Sequence, residues 1–518
     1  MATTHVETER KYDGPALPER LDRAPGVAAV ERGERQDLDA VYYDTPDLRL
    51  LRRRITLRRR SGGGDAGWHL KLPMDAEARR EVALPLEAAG PDGVPQELAL
   101  LVAAYARGAG LGPVAHLCTH RAETVLRDDR GEALARITED RVTARVCTDG
   151  PPGAAGDGAG PDAEPIGWTE FEVELDHGPA ALLDALDEVL TDAGLVRSPW
   201  PSKLARVLGG EPAPTAPAEP GPPGSAGAVV TAGLRARVGE LLVLDAAVRR
   251  GEPDSVHRMR VTARRLRSLL RAHRRLFDRR RTQALSDGLR WLGRLLGRAR
   301  DQEVLGELLV EHLDAVPARL RGAALRGRLT ERYARGYRAA WREAVSGLDG
   351  ARYHALLDEL DAFAARPPLR RRAGRDARAY LAATLRREQR RTTKRLDRAL
   401  RAEPGPPRDR ALHRARKAAK RARYTAEDTR TGVRRRAAKR AETFAARMKR
   451  LHKVLGAHQD SVVARQELAV LAEDPAGRAD GFALGVLHER QRQAAAVAAA
   501  RLPELRRRAG RRKLSRPA

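Results

Sequence analysis

Cysteine is nearly missing from this chain: Cys118 and Cys147 are the two thiols in 518 residues. Two thiols do not make a disulfide framework, and a reducing compartment is expected. Aromatic residues are only 4% of the composition, which leaves few rings for stacking on nucleic-acid bases. No apolar run is long enough to cross a bilayer, and Met1 to Lys11 is charged with no apolar stretch. The expectation is a cytoplasmic protein with no membrane partner.

Charge is what the sequence has in excess, at 32% of residues and a formal net charge of +28. The excess is not shared along the chain. Residues 1–227 carry 26 Lys and Arg against 38 Asp and Glu, whereas residues 228–518 carry 72 against 32. A basic half of that strength implies a polyanionic partner, and the carboxylates of the first half then need their own explanation.

A chain of this length exceeds one hydrophobic core, so several domains are expected. Residues 1–208 show period-2 patterning in His5–Lys11, Ile55–Arg60, Trp68–Leu72 and Thr169–Leu175, which predicts strands. Residues 151–165 read as a Gly/Pro/Ala loop and Ala180–Ala193 as an amphipathic helix. A Pro/Gly-rich stretch at 209–227 reads as a linker. Residues 228–508 have helical spacing, and Arg506–Arg512 lead into a basic tail (509–518) expected to lack fixed structure.

The basic half repeats itself. His257-Arg258-Met259-Arg260, followed by Arg264, Arg265 and Arg267, is echoed by His413-Arg414-Ala415-Arg416, followed by Lys420, Arg421 and Arg423. Leu296-Gly297-Arg298-Ala299-Arg300-Asp301 is echoed by Leu455-Gly456-Ala457-His458-Gln459-Asp460. Two motifs in the same order at nearly the same offset predict two related helical bundles, about 228–365 and 375–508. Asp301 and Asp460, each following a Gly, read as residues that start or orient a helix. His458 and Cys118 have no motif around them and read as structural.

In the first half, Glu7, Glu9 and Lys11 share one face of a strand, as do Glu170, Glu172 and Glu174. Crowded carboxylates call for a hard divalent cation, Mg²⁺ or Mn²⁺. Basic residues lie between them: Arg58 and Arg60, Lys71, Arg79, Arg121, Arg136 with the parity of Asp140, and Lys203. Guanidinium and ammonium groups facing carboxylate-bound metal suit phosphoryl transfer.

Glu7-Thr8-Glu9-Arg10-Lys11 resembles the ExExK signature of CYTH domains, the triphosphate tunnel metalloenzymes. Tyr42–Leu50, Ile55–Arg60, Trp68–Pro73, Glu139–Val142, Phe171–Leu175 and Ser202-Lys203 continue the resemblance in order. It implies an antiparallel β-tunnel of about eight strands with a few helices. By that resemblance Glu7, Glu9, Lys11, Glu172 and Glu174 are catalytic, and Glu7, Glu9, Glu170, Glu172, Glu174 and Asp140 are metal ligands. Lys11, Arg58, Arg60, Lys71, Arg121, Arg136 and Lys203 are implied to hold triphosphate, with Glu81 supporting the site.

On a helix His257, Arg260, Arg264, Arg267 and Arg271 form one stripe, and Arg258–Arg275 contains no acid to offset it. This half resembles the CHAD domain, an all-α module, which implies polyphosphate binding by His257, Arg260, Arg264, Arg265, His413, Arg416, Lys417, Lys420 and Arg423. The expected function is metal-dependent hydrolysis of inorganic triphosphate or short polyphosphate, with polymer bound by the helical half and the protein associated with polyphosphate granules. The alternatives are a non-catalytic granule-binding protein and, ranked lower, an adenylyl cyclase. Nucleic acid ranks below polyphosphate as a partner, because the basic half has few aromatics.

Overall fold

Alternation of polar and apolar residues becomes a closed antiparallel barrel in the first half of the chain. In the computed structural model, residues 3–510 are described apart from 75–77, 90–92, 148–163, 210–219, 322–323, 430–434 and 474–479. The strands are β1 (Thr3–Asp13), β2 (Ala29–Asp44), β3 (Thr56–Ser61), β4 (Gly67–Pro73), β5 (Ala78–Leu84), β6 (Gly112–Arg127), β7 (Ala133–Val146) and β8 (Ile166–Leu175). They run β5-β4-β3-β2-β6-β7-β8-β1 and close by pairing of β5 with β1, while a two-residue strand, β9 (Val196–Arg197), adds to β1 outside the ring. Closure removes the sheet edges that would otherwise invite aggregation.

Three helices accompany the barrel: α1 (Gln96–Ala106), α2 (Ala180–Asp192) and α3 (Lys203–Val207). α2 lays Leu182, Leu183, Leu186 and Leu190 over the outward faces of β7 and β8, against Ile137, Phe171 and Val173. Burying each such side chain contributes about 1.5–3 kcal/mol. α3 is capped by Ser202, whose hydroxyl accepts from Ala205 N, and it packs Leu204 and Ala205 with Ala40, Leu117 and Val142. Those apolar residues fill one portion of the barrel interior and leave the rest to polar side chains. At the β3–β4 turn Gly62 has φ +79°, and a Cβ there would lie 2.0 Å from Asp37 O, so no other residue fits.

The second half is helical throughout its described residues: α4 (Ala226–Arg249), α5 (Ser255–Ala272), α6 (Arg279–Asp314), α7 (Leu325–Asp349), α8 (Ala351–Ala365), α9 (Ala377–Leu400), α10 (Pro406–Thr429), α11 (Arg435–Glu473), α12 (Gly481–Ala500) and α13 (Leu502–Ala509), with short 3₁₀ turns between. Five helices are followed by five, and the third of each set is the longest. The two sets start alike: Ser225 caps α4 and Asp376 caps α9, each accepting from the amide three residues on. The caps pair with each other, Ala226 N donating to Arg375 O and Ala377 N to Gly224 O.

The structure refines several expectations. The barrel and its compact unit (Met1–Ala216) are distinct from the helical unit (Pro217–Ala518). Most of the loop at 151–165 and residues 210–219 of the linker stretch lie outside the described residues, whereas Ser225–Gly227 already cap and begin α4. Arg506–Arg508 are not a structureless tail. They lie on α13, where Leu502 and Ala509 are buried and Arg506 donates to both oxygens of Asp397 at 2.6 and 2.9 Å. Residues 511–518 lie outside the described residues.

Candidate functional site

Each strand of the barrel sends alternate residues inward, and the polar ones meet in a cavity of about 490 Å³. β1 supplies Glu7, Glu9 and Lys11; β3 Arg58 and Arg60; β4 His69 and Lys71; β5 Arg79 and Glu81. β6 supplies Arg121, β7 Arg136, β8 Glu172 and Glu174, and the N-terminus of α3 Lys203. The register sets Glu9 directly opposite Glu174 and Lys11 opposite Glu172. Like charges facing each other across two strands are unfavourable unless a cation separates them.

The lining is held as an ion-pair network. Lys11 pairs with Glu172 and lies 3.5 Å from Glu9; Lys71 lies 2.6 Å from Glu7 and 3.3 Å from Glu81. Arg121 donates to both oxygens of Asp140 at 2.8 and 2.7 Å. Lys203 Nζ lies 2.9 Å from Asp140, 2.7 Å from Glu170 and 2.9 Å from Glu172. Burial alone would neutralise these groups, and the opposite charges reverse that. Burial raises the Glu172 carboxyl, but Lys11, Lys203 and Arg121 pull it well below the usual range. Glu7 escapes this compensation: burial and its hydrogen bond with Glu81 push it up to about 8 despite Lys71. Burial, with Arg58 and Arg121, pushes Arg60 down to about 9.

These observations test whether a divalent ion fits. The inward carboxylates are all-oxygen donors, two of them oppose each other in the ladder, and Glu7 is pushed up by burial and by Glu81, with its Oε2 buried without a hydrogen-bond partner. That chemistry matches a hard cation. Glu7, Glu9, Glu172 and Glu174 reach the cavity. Asp140 and Glu170 come within ligand distance of Glu172 as a group, but their oxygens meet Lys203 and Arg121 and are not part of the cavity lining. Arg136 lines the cavity at its more exposed side, tied to Asp176 at 2.8 Å and Glu123 at 3.4 Å. Sequence reading missed His69, buried with Nδ1 against Glu81 and Nε2 2.9 Å from Asp65 O, although its parity with Lys71 was the available signal.

In the helical unit the repeated motifs converge. α5 and α10 pack together, bringing Arg260 and Arg264 beside Arg416 and Lys420. A Cβ at Gly297 would meet Arg260 Nε at 3.4 Å, and one at Gly456 would meet Arg416 Nε at 3.6 Å. Asp301 then lies 3.4 Å from Arg260 and Asp460 3.9 Å from Arg416. The Leu-Gly-x-x-x-Asp echo is thus one structural unit used twice: glycine admits the guanidinium and the aspartate four residues on orients it. Both aspartates sit inside long helices rather than at their starts, which corrects the capping expectation. The reason is that these glycines make room for a side chain and do not break the helix.

Burial, then Arg264, Arg416, Arg260 and Arg423, pushes Lys420 down to about 6. Burial, then Lys420, Arg416, Arg423 and Arg264, pushes His452 of α11 down to about 3. Arg264 Nε, Arg416 Nε and His452 Nε2 are buried without hydrogen-bond partners. From there the basic surface continues through Arg267 and Lys417 into a cavity of about 850 Å³, where arginines of α5, α6, α9 and α10 and of the turn before α9 meet. His257 and His413 lie at the start of the stripe, and His413 Nδ1 is 2.7 Å from Gln459 Oε1. Arg265 and Arg423 differ from the other motif residues. Both stack on Tyr424 and both donate to Glu427, at 3.0 and 2.6 Å. Apart from Arg271 and Arg421, the arginines of the larger cavity carry no motif in the sequence, because arginine is dense everywhere in this half.

The comparisons match both halves of the chain. A family model described as "CYTH domain" matches residues 5–208, and one described as "CHAD domain" matches 232–469. An uncharacterised protein of Mycobacterium tuberculosis (strain CDC 1551 / Oshkosh) is 38% identical over 496 residues, covering 94% of this chain and 93% of that one. A thiamine-triphosphatase of Homo sapiens is 40% identical over 74 residues, 14% of this chain and 29% of that protein. The crystal structure of the CHAD domain from the plant Ricinus communis is similar at 26% identity and a TM-score of 0.45, over 55% of this chain and 93% of that one. Among the described residues, no helix is long and apolar enough to cross a membrane.

Proposed function

Because the chain belongs to the proteins that join an N-terminal CYTH domain to a C-terminal CHAD domain, we propose that its tunnel hydrolyses inorganic triphosphate or short polyphosphate with Mg²⁺ or Mn²⁺, while its helical half binds polyphosphate. The observation that carries this reading is the cavity's equal complement of cationic and carboxylate side chains, eight of each. Such a site is complementary to a phosphate chain that arrives together with a cation.

Glu7, Glu9, Glu172 and Glu174 would hold the ion, which when bound supplies charge neutralisation at the phosphate oxygens. Lys11, Arg58, Arg60, Lys71, Arg121 and Lys203 bind and align the chain, exchanging carboxylate partners for phosphate oxygens. Asp140 and Glu170 act behind them as positioning residues for Lys203 and Arg121. With the chain held in line, water attacks the terminal phosphorus, the P–O bond to the bridging oxygen breaks, and phosphate leaves the shortened chain. Arg136, at the exposed side, extends the reach toward longer chains.

The test is phosphate release from tripolyphosphate, long-chain polyphosphate, ATP and thiamine triphosphate, each with Mg²⁺, Mn²⁺ or EDTA. Metal-dependent release from tripolyphosphate is expected; no release from any substrate would overturn the reading. A second reading, a polyphosphate-binding protein that does not hydrolyse, is favoured by one observation: the helical cavity is lined by eleven arginines with no carboxylate among its lining residues. Polyphosphate retention without turnover would select it, and cyclic AMP formation from ATP would select a cyclase.

A further inference from the structure

The outer face of the barrel carries a second donor set whose chemistry differs from the tunnel's. Along β6, Leu117, Thr119 and Arg121 point inward, so His116, Cys118 and His120 point outward. The register with β2 sets Asp39 directly opposite Cys118 and Asp37 opposite His120. Asp39 Oδ2 lies 2.6 Å from His116 Nε2 and accepts from Cys118 Sγ at 3.6 Å. One ligand atom each from Asp39, His116 and Cys118 fall within 4.8 Å of one another. His116 and Asp39 are 41% and 51% exposed, so solvent and ions reach them.

We propose that Asp39 Oδ2, His116 Nε2 and Cys118 Sγ form a binding site for a borderline-soft divalent cation, zinc above others. Sulfur, imidazole nitrogen and carboxylate oxygen are the ligand types zinc takes, at about 2.0–2.3 Å in tetrahedral geometry. An all-oxygen site selects Mg²⁺ or Mn²⁺, whereas a thiolate in the set selects against both. Positions i and i+2 of one strand present two ligands on the same face, and the neighbouring strand completes the chelate. β6 is laddered on both sides, to β2 and to β7, so small side-chain adjustments bring three ligands to one ion on a rigid support. Binding releases the Cys118 thiol proton. Without a cation, burial and then Asp39 hold the Cys118 thiol above its usual range, and Arg145, opposite His116 on β7, offsets this in part. A bound cation reverses the effect of Asp39 by sharing its oxygen. Three protein ligands leave the fourth tetrahedral position open to water or an external ligand.

The site is separate from the tunnel, and its test does not pass through hydrolysis. The full chain is titrated with Co²⁺ in excess Mg²⁺, which occupies the hard carboxylates, and the thiolate-to-cobalt absorption is followed. Cys118 and Cys147 are the only possible sources of that band. One cobalt per chain is expected to give the band, and zinc is expected to displace it and to protect Cys118 from alkylation. Cys118→Ser removes the band and Cys147→Ser keeps it. Loss of one ligand in His116→Ala or Asp39→Asn weakens zinc binding by about tenfold or more. No band at micromolar cobalt, or a band that survives Cys118→Ser, overturns the proposal. Both serine variants are isosteric and lie outside the hydrophobic core, so melting temperature separates misfolding from ligand loss.

Discussion

The two charged cavities of this protein handle charge in opposite ways. The tunnel sets eight cationic side chains against eight carboxylates, whereas the helical cavity gathers eleven arginines with no acid in its lining. In the tunnel most of the buried charges are paired, as Lys11, Lys71, Arg121 and Lys203 are with carboxylates, and pairing keeps ionised groups in a low-dielectric interior. In the helical cavity burial and mutual repulsion push Arg271 and Arg395 down from the usual arginine range. A balanced site can take an anion only with a cation or by re-sorting its pairs, and an unbalanced one is relieved by the anion alone. Metal should therefore govern the first and salt the second.

Removing metal should give the largest separation. EDTA, or Glu9→Ala, takes away several kcal/mol of charge stabilisation. At about 1.36 kcal/mol per tenfold, phosphate release should fall on the order of a hundredfold or more. Polyphosphate retention by the same samples should be unchanged. Equal loss of both would mean that the helical half also binds its polymer through metal, and the contrast would fail.

Salt should act the other way. If six to ten phosphates are neutralised, affinity for long polyphosphate should drop on the order of 10³-fold between about 50 and 200 mM salt. Arg264→Ala, which removes a buried guanidinium whose Nε has no protein partner, should cost about tenfold in affinity. Hydrolysis of tripolyphosphate at saturating metal should change far less across the same range, because its charges are already paired and buried.

How much of this was legible in the sequence depended on how local the signal was. The strand that presents Glu7, Glu9 and Lys11 is written in consecutive residues, and so is the echo of His257 and His413. What was not legible lies across the fold. The family resemblance implies Asp140 and Glu170 as ligands, yet only the barrel shows Lys203 seated against both. Asp301 and Asp460 read as residues that start or orient a helix until the guanidiniums of Arg260 and Arg416 are seen to lie over Gly297 and Gly456, where a side chain would need room. Cys118 has no motif because its partner Asp39 is on another strand. Arg506 belongs to a basic run typical of a tail, and Asp397, more than a hundred residues away, fixes it.

A smaller effect should come from pH. Burial and its cationic neighbours push Lys420 down to about 6, far below a free lysine. Arg260 and Arg264 face it from α5, Arg416 and Arg423 from α10, and His452 from α11. The unfolded chain therefore holds a proton that the folded chain lacks between about pH 6 and the usual lysine value. By linkage this group makes the ligand-free protein less stable as pH falls through that window. Bound polyphosphate reverses the sign, since it favours the ammonium. Affinity should rise as pH falls from 8 to 6, with proton uptake on binding at neutral pH measurable in buffers of different ionisation enthalpy. Lys420→Met should flatten the pH dependence and raise the melting temperature without ligand.

The smallest effect should distinguish the arginines proposed to bind polymer from those spent on contacts within the protein. Arg265 and Arg423 carry the sequence motif as fully as Arg264 does, but both are spent on Glu427 and the face of Tyr424. Arg265 belongs to α5 and its partners to α10, so its guanidinium joins the second helices of the two repeats. Arg265→Ala should leave polyphosphate affinity within about twofold, against about tenfold for Arg264→Ala. Stability should fall by about 0.5–1 kcal/mol from the lost ion pair and ring contact. Glu427→Gln sharpens the comparison: it frees two guanidiniums without removing a cation, so affinity should rise slightly where Arg264→Ala lowers it. An affinity loss at Arg265 equal to that at Arg264 would mean that the polymer displaces Glu427 and that both count as phosphate ligands.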